Sequence, residues 1–464
     1  MKKILFIIAL LFTSMLFSQD ITGKWYGKLS IMGSELLFEL NFDKKETLYT
    51  GTMDIPQQNA IGIPLSSVTF EDKTLVFKFD QAKFSYSGKF NDTLEFDGIF
   101  SQNGQNFPLK LTRTKTAVKK INRPQEPKAP FPYEIDDVVF ENVKANVSLA
   151  GTFTYPKKEN YPTVVLISGS GQQDRNSEIF GHKPFWVIAD YLTRNGIGVL
   201  RIDDRGVGQS GGDPTTSTSY DFATDIEAAV TYLKNRKGVN AKKIGLIGHS
   251  EGGIIAPIVA SKDKSISFIV LLAGPGIPGD ELLLEQTYLI GKSSGMDETA
   301  LEDIKKFNKS VYTIVKSNKT AIEAQKELET VFNTMYSDNS EFNNLNENDR
   351  KEALNQQIEP LLSPWFRYFI SYEPAVFLQK VKCPVLVLNG EKDLQVPPKT
   401  NMTGIKNSLE KGGNKKVTVK EYPNLNHLFQ ESETGSVDEY GTIEQTFSPI
   451  VLTDIKDWIL LQAK

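Results

Sequence analysis

A serine hydroxyl attacks a carbonyl only when a base takes its proton and amide donors receive the charge that develops on oxygen. The spacing G-x-S-x-G leaves room for the tight turn that presents such a serine. It occurs three times, as Gly248-His-Ser250-Glu-Gly252, Gly208-Gln-Ser210-Gly-Gly212 and Gly291-Lys-Ser293-Ser-Gly295. Only Ser250 directly follows a strand-like apolar run, Ile244–Ile247, and precedes a small-residue helical start at Gly252-Gly253. Ser210 lies in a glycine-rich loop running into Asp213-Pro214, and Ser293 lies in a region that reads as an insertion. Ser250 is therefore the expected nucleophile.

The base follows by elimination among His182, His249 and His427. His249 adjoins the serine on the turn, where its ring cannot readily face the neighbouring hydroxyl. His182 precedes the serine, whereas hydrolases with a strand-turn-helix nucleophile run serine, acid, histidine. His427 remains, in a loop after the last strand-like run, Val417–Tyr422. Asp393, in Asn389-Gly-Glu-Lys-Asp393, is the expected acid, with Glu391 as the alternative; a fixed carboxylate there would hold the imidazole tautomer and stabilise the imidazolium. The oxyanion donors are expected to be the backbone N–H of Glu251 and that of Ser170 in Ser168-Gly-Ser-Gly171, with Gly171 as the alternative to Ser170.

Other chemistry has less support. Asp204-Arg205 and Asp174-Arg175 read as ion pairs bracing loops around the site. No His-x-His or Cys-x-x-Cys set occurs, so no metal is expected. No glycine-rich stretch ends in Gly-Lys-Ser/Thr at phosphate-loop spacing, and no cofactor is expected. Cys383 is the single cysteine, which rules out an intramolecular disulfide, and it opens an apolar run where a buried, inert thiol is the reading. A formal charge of -4 with 24% charged residues gives no one-signed surface field, so nucleic acid is not an expected partner.

These residues need elements to position them. Beyond residue 133 apolar runs alternate with helical patterns: Thr163–Ile167, Gly198–Ile202, Ile244–Ile247, Phe268–Leu272, Cys383–Leu388 and Val417–Tyr422. Runs without alternation are strands buried on both faces, which implies a parallel sheet covered by helices. About 100 residues separate Leu272 from Cys383, and their helical periodicity predicts a cap at about 277–374, with helices near Glu298–Ser317, Thr320–Tyr336 and Asp349–Leu362 and an aromatic stretch from Trp365 to Phe369.

Residues 19–114 alternate instead with period two, as in Phe38, Leu40 and Phe42, which predicts an all-β domain of six to eight strands. Gly23-Lys24-Trp25 at its start resembles the opening of lipocalin-like barrels, and a sandwich is the alternative. Residues 115–132 carry four prolines and read as a linker. Residues 1–18 begin with Lys2-Lys3 before an apolar run, the layout of a signal peptide, so export is expected, with an uncleaved anchor as the alternative. No second apolar segment is long enough to span a bilayer.

Ser168-Gly-Ser-Gly-Gln-Gln-Asp-Arg-Asn176, Arg201-Ile-Asp-Asp-Arg-Gly-Val-Gly-Gln-Ser210, Gly248-His-Ser-Glu-Gly-Gly253, Cys383 to Asp393 and Leu425-Asn-His-Leu-Phe429 resemble bacterial α/β-hydrolase carboxylesterases, close to the esterase D type and to serine aminopeptidase-like hydrolases. The resemblance covers about Glu134 to Leu461. It implies a doubly wound, mostly parallel α/β-hydrolase sheet with a helical cap, a triad on Ser250, Asp393 and His427, and cleavage of a small-molecule ester through an acyl-enzyme. A serine peptidase of the same fold is the second reading, and a non-catalytic protein binding through its β domain is the third. Such enzymes usually carry His-Gly where this chain has Ser168-Gly169, which leaves the second oxyanion donor open.

Overall fold

The computed structural model describes residues 20–31, 34–55, 60–102, 105–115 and 122–464. The signal-like segment at 1–18 lies outside them. The chain divides into two compact units that meet in sequence near residue 119.

The first unit is one sheet built from β1 (Gly23–Ile31), β2 (Ser34–Lys45), β3 (Leu48–Ile55), β4 (Ala60–Pro64), β5 (Ser67–Glu71), β6 (Thr74–Phe79), β7 (Phe84–Phe90), β8 (Phe96–Gln102) and β9 (Gln105–Thr112). The order is β2-β1-β9-β8-β7-β6-β5-β3-β4, and a pairing of β2 with β3 closes it into a barrel. Nine strands stand where six to eight were expected; the extra one, β4, pairs on β3 outside the closed ring and has no buried alternate face to announce it. Period-two residues fill the interior, among them Phe38, Phe42, Phe77, Tyr86 and Phe96. Trp25 is buried in this core, with the Arg113 guanidinium 3.9 Å from its ring centroid and its own Nε1 donating to the Ile21 carbonyl at 2.8 Å.

The second unit holds β10 (Glu134–Asn142), β11 (Val147–Tyr155), β12 (Tyr161–Ile167), β13 (Gly198–Ile202), β14 (Val239–His249), β15 (Phe268–Leu272), β16 (Val385–Gly390) and β17 (Val417–Tyr422). Their order is β10-β11-β13-β12-β14-β15-β16-β17. The pairs β10–β11 and β11–β13 are antiparallel, and every later pair is parallel. The mainly apolar, non-alternating strands β12, β13, β15 and β16 are buried along their whole length, as expected for strands covered on both faces.

The helices are α1 (Pro184–Arg194), α2 (Ser219–Lys234), α3 (Gly252–Lys262), α4 (Gly279–Ser293), α5 (Glu298–Lys316), α6 (Ala321–Met335), α7 (Ser340–Asn344), α8 (Glu347–Leu361), α9 (Pro364–Ile370), α10 (Pro374–Leu378), α11 (Pro398–Lys411) and α12 (Pro449–Gln462). One face of the sheet is covered by α1 and α12 through residues such as Ile188, Leu192, Val451 and Ile455; the other is covered by α2, α3 and α11 through Ile226, Val230, Ile258 and Ile405. The inserted cap, α4 to α10, has a core of its own around Val311, Leu328, Phe332 and Ile358. Its helix starts are written locally: Asp297 caps α5, and Thr320 with Glu323 forms a capping box on α6. Among the described residues no helix is long and apolar enough to cross a membrane.

Residues 122–132 carry no helix or strand and are pinned to the second unit. Arg123 donates to the carbonyls of Phe180, Ile443 and Gly441, and Gln125 accepts from the N–H groups of Thr446 and Phe447.

Connections leave β12 towards β13 on one side and β14 towards β15 on the other. The crevice between the carboxyl ends of β12 and β14 is thus the topological switch point, where open α/β sheets bind ligands.

Candidate functional site

Ser250 sits at that switch point, on the turn between β14 and α3. Its φ is +54°, a left-handed conformation that a residue with a β-carbon rarely adopts. The turn closes because its flanking positions are glycines: a β-carbon on Gly248 would lie 2.0 Å from the Gly252 carbonyl oxygen, and one on Gly252 would lie 2.3 Å from that of Ile167. The Ser250 N–H donates to the Leu272 carbonyl at 2.9 Å, which fixes the turn to the end of β15.

Asp393 follows β16 and His427 follows β17, so both loops emerge at the same edge of the sheet. His427 Nδ1 lies 2.8 Å from Asp393 Oδ2, with the side chain of the aspartate fully buried and that of the histidine 5% exposed. The other carboxylate oxygen, Oδ1, accepts the N–H groups of Gln395 at 2.9 Å and Val396 at 2.8 Å. Three donors therefore hold the carboxyl in one orientation. The alternative acid, Glu391, points elsewhere and accepts the Asn424 N–H at 3.1 Å. The histidine loop is held by Asn426, whose Oδ1 accepts the N–H groups of Leu428 and Gln430 at 3.0 Å each.

Ser250, His427, Gly169, Ser170 and Glu251 line one cavity of about 280 Å³. Much of its remaining wall is apolar and aromatic, including Phe185, Leu282, Leu283, Trp365, Phe366 and Phe369, with Gln173, Ser177, Gln286 and Gln395 among the polar residues. The register of β12 against β14, Ile167 opposite Gly248, sets the loop of Ser168 to Gly171 beside the serine turn.

Glu251 is 2% exposed. Its Oε1 accepts from Ser219 Oγ at 2.6 Å and from Trp365 Nε1 at 2.8 Å, and the Ser170 hydroxyl lies near the same carboxyl. Burial pushes its pKa up, against the pull of those three groups.

The remaining histidines have structural partners. His249 Nε2 donates to the His427 carbonyl at 3.0 Å, and burial, with His427 nearby, pushes its pKa down to about 3. His182 Nδ1 pairs with Thr446 Oγ1 and its Nε2 with the Tyr440 carbonyl, both at 2.9 Å.

The other two G-x-S-x-G serines serve other ends. Ser210 is buried, accepting the Ala150 N–H at 2.9 Å and donating to the Asp203 carbonyl at 2.7 Å; Ser293 is exposed at the end of α4, its hydroxyl donating to the Ile290 carbonyl.

The charged neighbours expected to pair with each other do not. Arg205 pairs with Asp225 at 2.8 Å and Arg175 with Asp203 at 2.6 Å, because adjacent side chains on these loops diverge while the partners come from facing elements. Asp204 instead accepts Ser168 Oγ at 2.7 Å and the Gln173 N–H at 3.0 Å, with burial pushing its pKa up to about 7. The Cys383 thiol is mostly buried, and burial pushes it up to about 12, consistent with an inert group. Among the described residues no cluster of three or more His, Cys, Asp or Glu could hold a metal ion.

Residues that matter here but carry no sequence signal are His249 as a brace, and Ser219 and Trp365 as partners of Glu251. Their roles depend on contacts spanning 32 to 178 positions.

Residues 162–434 match the family model described as the alpha/beta hydrolase fold, and the chain belongs to that family. It is similar to esterase EstD of Thermotoga maritima, 28% identical over 341 residues that cover 71% of this chain and 70% of the relative. A polyketide transferase from a Penicillium species is 33% identical over 87 residues, which cover 18% of this chain and 30% of that protein. Among solved structures, a Pyrococcus furiosus esterase aligns with a TM-score of 0.43 at 17% identity, over 75% of this chain and all of the other.

Proposed function

We propose that this protein is a serine esterase with Ser250 as nucleophile, His427 as general base and acid, and Asp393 as the carboxylate that orients it. The observation that carries the reading is the buried 2.8 Å contact between His427 Nδ1 and Asp393 Oδ2 at the edge of the cavity that Ser250 lines. Similarity to esterase EstD supports the ester class.

In the proposed reaction, Ser250 Oγ bonds to the ester carbonyl carbon while its proton passes to His427 Nε2. The oxyanion is held by the N–H groups of Glu251 and Ser170. Collapse breaks the bond to the alkoxy oxygen, which leaves as an alcohol with the proton from His427. Water then gives a proton to His427 and attacks the acyl-enzyme, and the acid departs as Ser250 recovers its proton.

The cavity favours an uncharged ester over an aminoacyl amide. Apolar and aromatic side chains form much of its wall, and its carboxyl, Glu251, is committed to Ser219 and Trp365 rather than free for a substrate amine. The lysine-flanked apolar segment at the start supports export as part of the same proposal.

The test is a chain-length series of p-nitrophenyl esters on the wild type and Ser250→Ala. The variant should lose at least about 10⁴-fold in kcat with an unchanged circular dichroism spectrum. Retained turnover in the folded variant would remove the assignment, and faster cleavage of aminoacyl amides than of esters would move it to the peptidase reading.

A further inference from the structure

The carboxyl of Glu251 joins parts of the molecule that the reaction does not require to be joined. Its own backbone follows the nucleophile, its Oε1 receives the Trp365 indole from the cap and the Ser219 hydroxyl from the start of α2, and the Ser170 hydroxyl approaches from the loop after β12. Trp365 is no loose contact. Its ring stacks on Phe369 with centroids 5.3 Å apart and planes 26° apart, and both rings wall the cavity. Helix α9, which carries them, is tied into the cap by Arg367, whose Nη2 donates to the carbonyls of Ser317 at 3.0 Å and Lys319 at 2.9 Å.

A group seated against Trp365 therefore presses on a wall one hydrogen bond from the oxyanion turn. A buried carboxyl loses heavily when a donor leaves it, because no water replaces the lost bond. Displacement of the indole thus costs free energy at Glu251, and the residue shares that displacement between its side chain and its backbone N–H.

We propose that Glu251 is a positioning residue whose carboxyl couples the aromatic cap wall at Trp365 to the oxyanion turn, so that the fit of the acyl group against the cap sets the rate at Ser250. The inference rests on the esterase reading above. The coupling acts on acyl groups long enough to reach that wall, so hexanoate should depend on it more than acetate.

The test uses the full-length protein with Trp365→Phe, Glu251→Leu, their double variant and Glu251→Gln, which keeps an acceptor for the indole. Labelling of each variant at Ser250 by a fluorophosphonate comes first; absence of labelling in the wild type would count against the reaction, not against the coupling.

With labelling present, kcat and KM are measured on p-nitrophenyl acetate and hexanoate. Both esters should slow in Trp365→Phe and in Glu251→Leu, with kcat for hexanoate falling about ten times further than for acetate. The double variant should be no worse than the poorer single one, within about 2-fold, and Glu251→Gln should recover most of the loss. The ¹H–¹⁵N indole resonance of Trp365, assigned by its disappearance in Trp365→Phe, should move in Glu251→Leu. Equal losses on the two esters, losses that multiply in the double variant, or an unmoved indole resonance would each overturn the coupling. Should Glu251→Leu fail to fold, Trp365→Phe decides it alone: a kcat loss on hexanoate about ten times that on acetate supports the coupling, and equal losses on the two esters overturn it.

Discussion

His249 Nε2 donates to the backbone carbonyl of His427 across 3.0 Å, so the residue before Ser250 braces the loop that carries His427. The two rings lie with centroids 4.8 Å apart. Because burial keeps His249 neutral, the brace adds no positive charge beside the imidazole that, in the proposed reaction, becomes positive during turnover. Replacing His249 with Phe keeps a ring of similar size and deletes the donor. We expect kcat to fall about 10- to 100-fold with little change in thermal stability, since small misplacement of a catalytic group costs rate before it costs fold. Steady-state kinetics beside a melting curve would check this; an unchanged kcat would reduce His249 to packing.

Asp393 supplies the next prediction. Its carboxylate is fully buried and its other oxygen is occupied by two backbone donors, so it has no freedom to turn away from His427. Asn at this position would fit the same space, but its amide group would face Nδ1 and favour the wrong tautomer. Turnover should drop by about 10⁴-fold. Glu391→Gln, whose oxygen would still face the Asn424 N–H, should leave turnover within about 2-fold of wild type. Reversal of that order would hand the acid role to Glu391.

The sequence made the site legible because the chemistry has few ways to be written. Three histidines and one strand-turn-helix serine left little to choose among, and chain order pointed to His427 as the candidate base. The strands around the site were readable for a related reason, since β12, β13, β15 and β16 are buried on both faces and appear as mainly apolar runs without alternation. What escaped notice is what alternation and runs do not encode. The pair β10 and β11 was not foreseen, and β10, an edge strand, shows only three buried residues among nine. Asp204-Arg205 misled because adjacency in sequence suggests pairing, whereas Arg205 finds Asp225 on α2. The Trp365–Glu251 contact spans 114 positions and has no local signature at all.

Ser210 tests how far the motif alone can be trusted. It has the same glycine spacing as Ser250, yet its hydroxyl bridges the Ala150 N–H and the Asp203 carbonyl inside the protein. Ser210→Ala strands both backbone groups away from water, at a cost of about 1–3 kcal/mol. Thermal denaturation should show a lowered Tm, and fluorophosphonate labelling at Ser250 should be retained. Loss of labelling in a folded Ser210→Ala protein would show that this loop takes part in the reaction.

Acid lability gives the last prediction, and His182 is the residue to follow. Burial, reinforced by the nearby Arg123 guanidinium, pushes its pKa down to about 4, and its two ring nitrogens are occupied by Thr446 and the Tyr440 carbonyl. In the unfolded chain the same imidazole titrates near about 6.5. As pH falls, the unfolded state binds the proton first, so the stabilising contribution is complete above about pH 6.5 and is lost as pH falls towards about 4. The full swing for this one group is about 3 kcal/mol. Gln in its place can still hydrogen-bond Thr446 and Tyr440 but cannot take up the proton. His182→Gln should be the less stable protein at pH 7.5, because the amide fits the imidazole's space imperfectly. Its deficit should then shrink steadily between pH 6.5 and 4.5, while the carboxylates common to both proteins cancel from the difference. Differential scanning fluorimetry across that range would measure the gap, and a gap that stays constant with pH would mean that His182 is not the group whose proton uptake weakens the fold in acid.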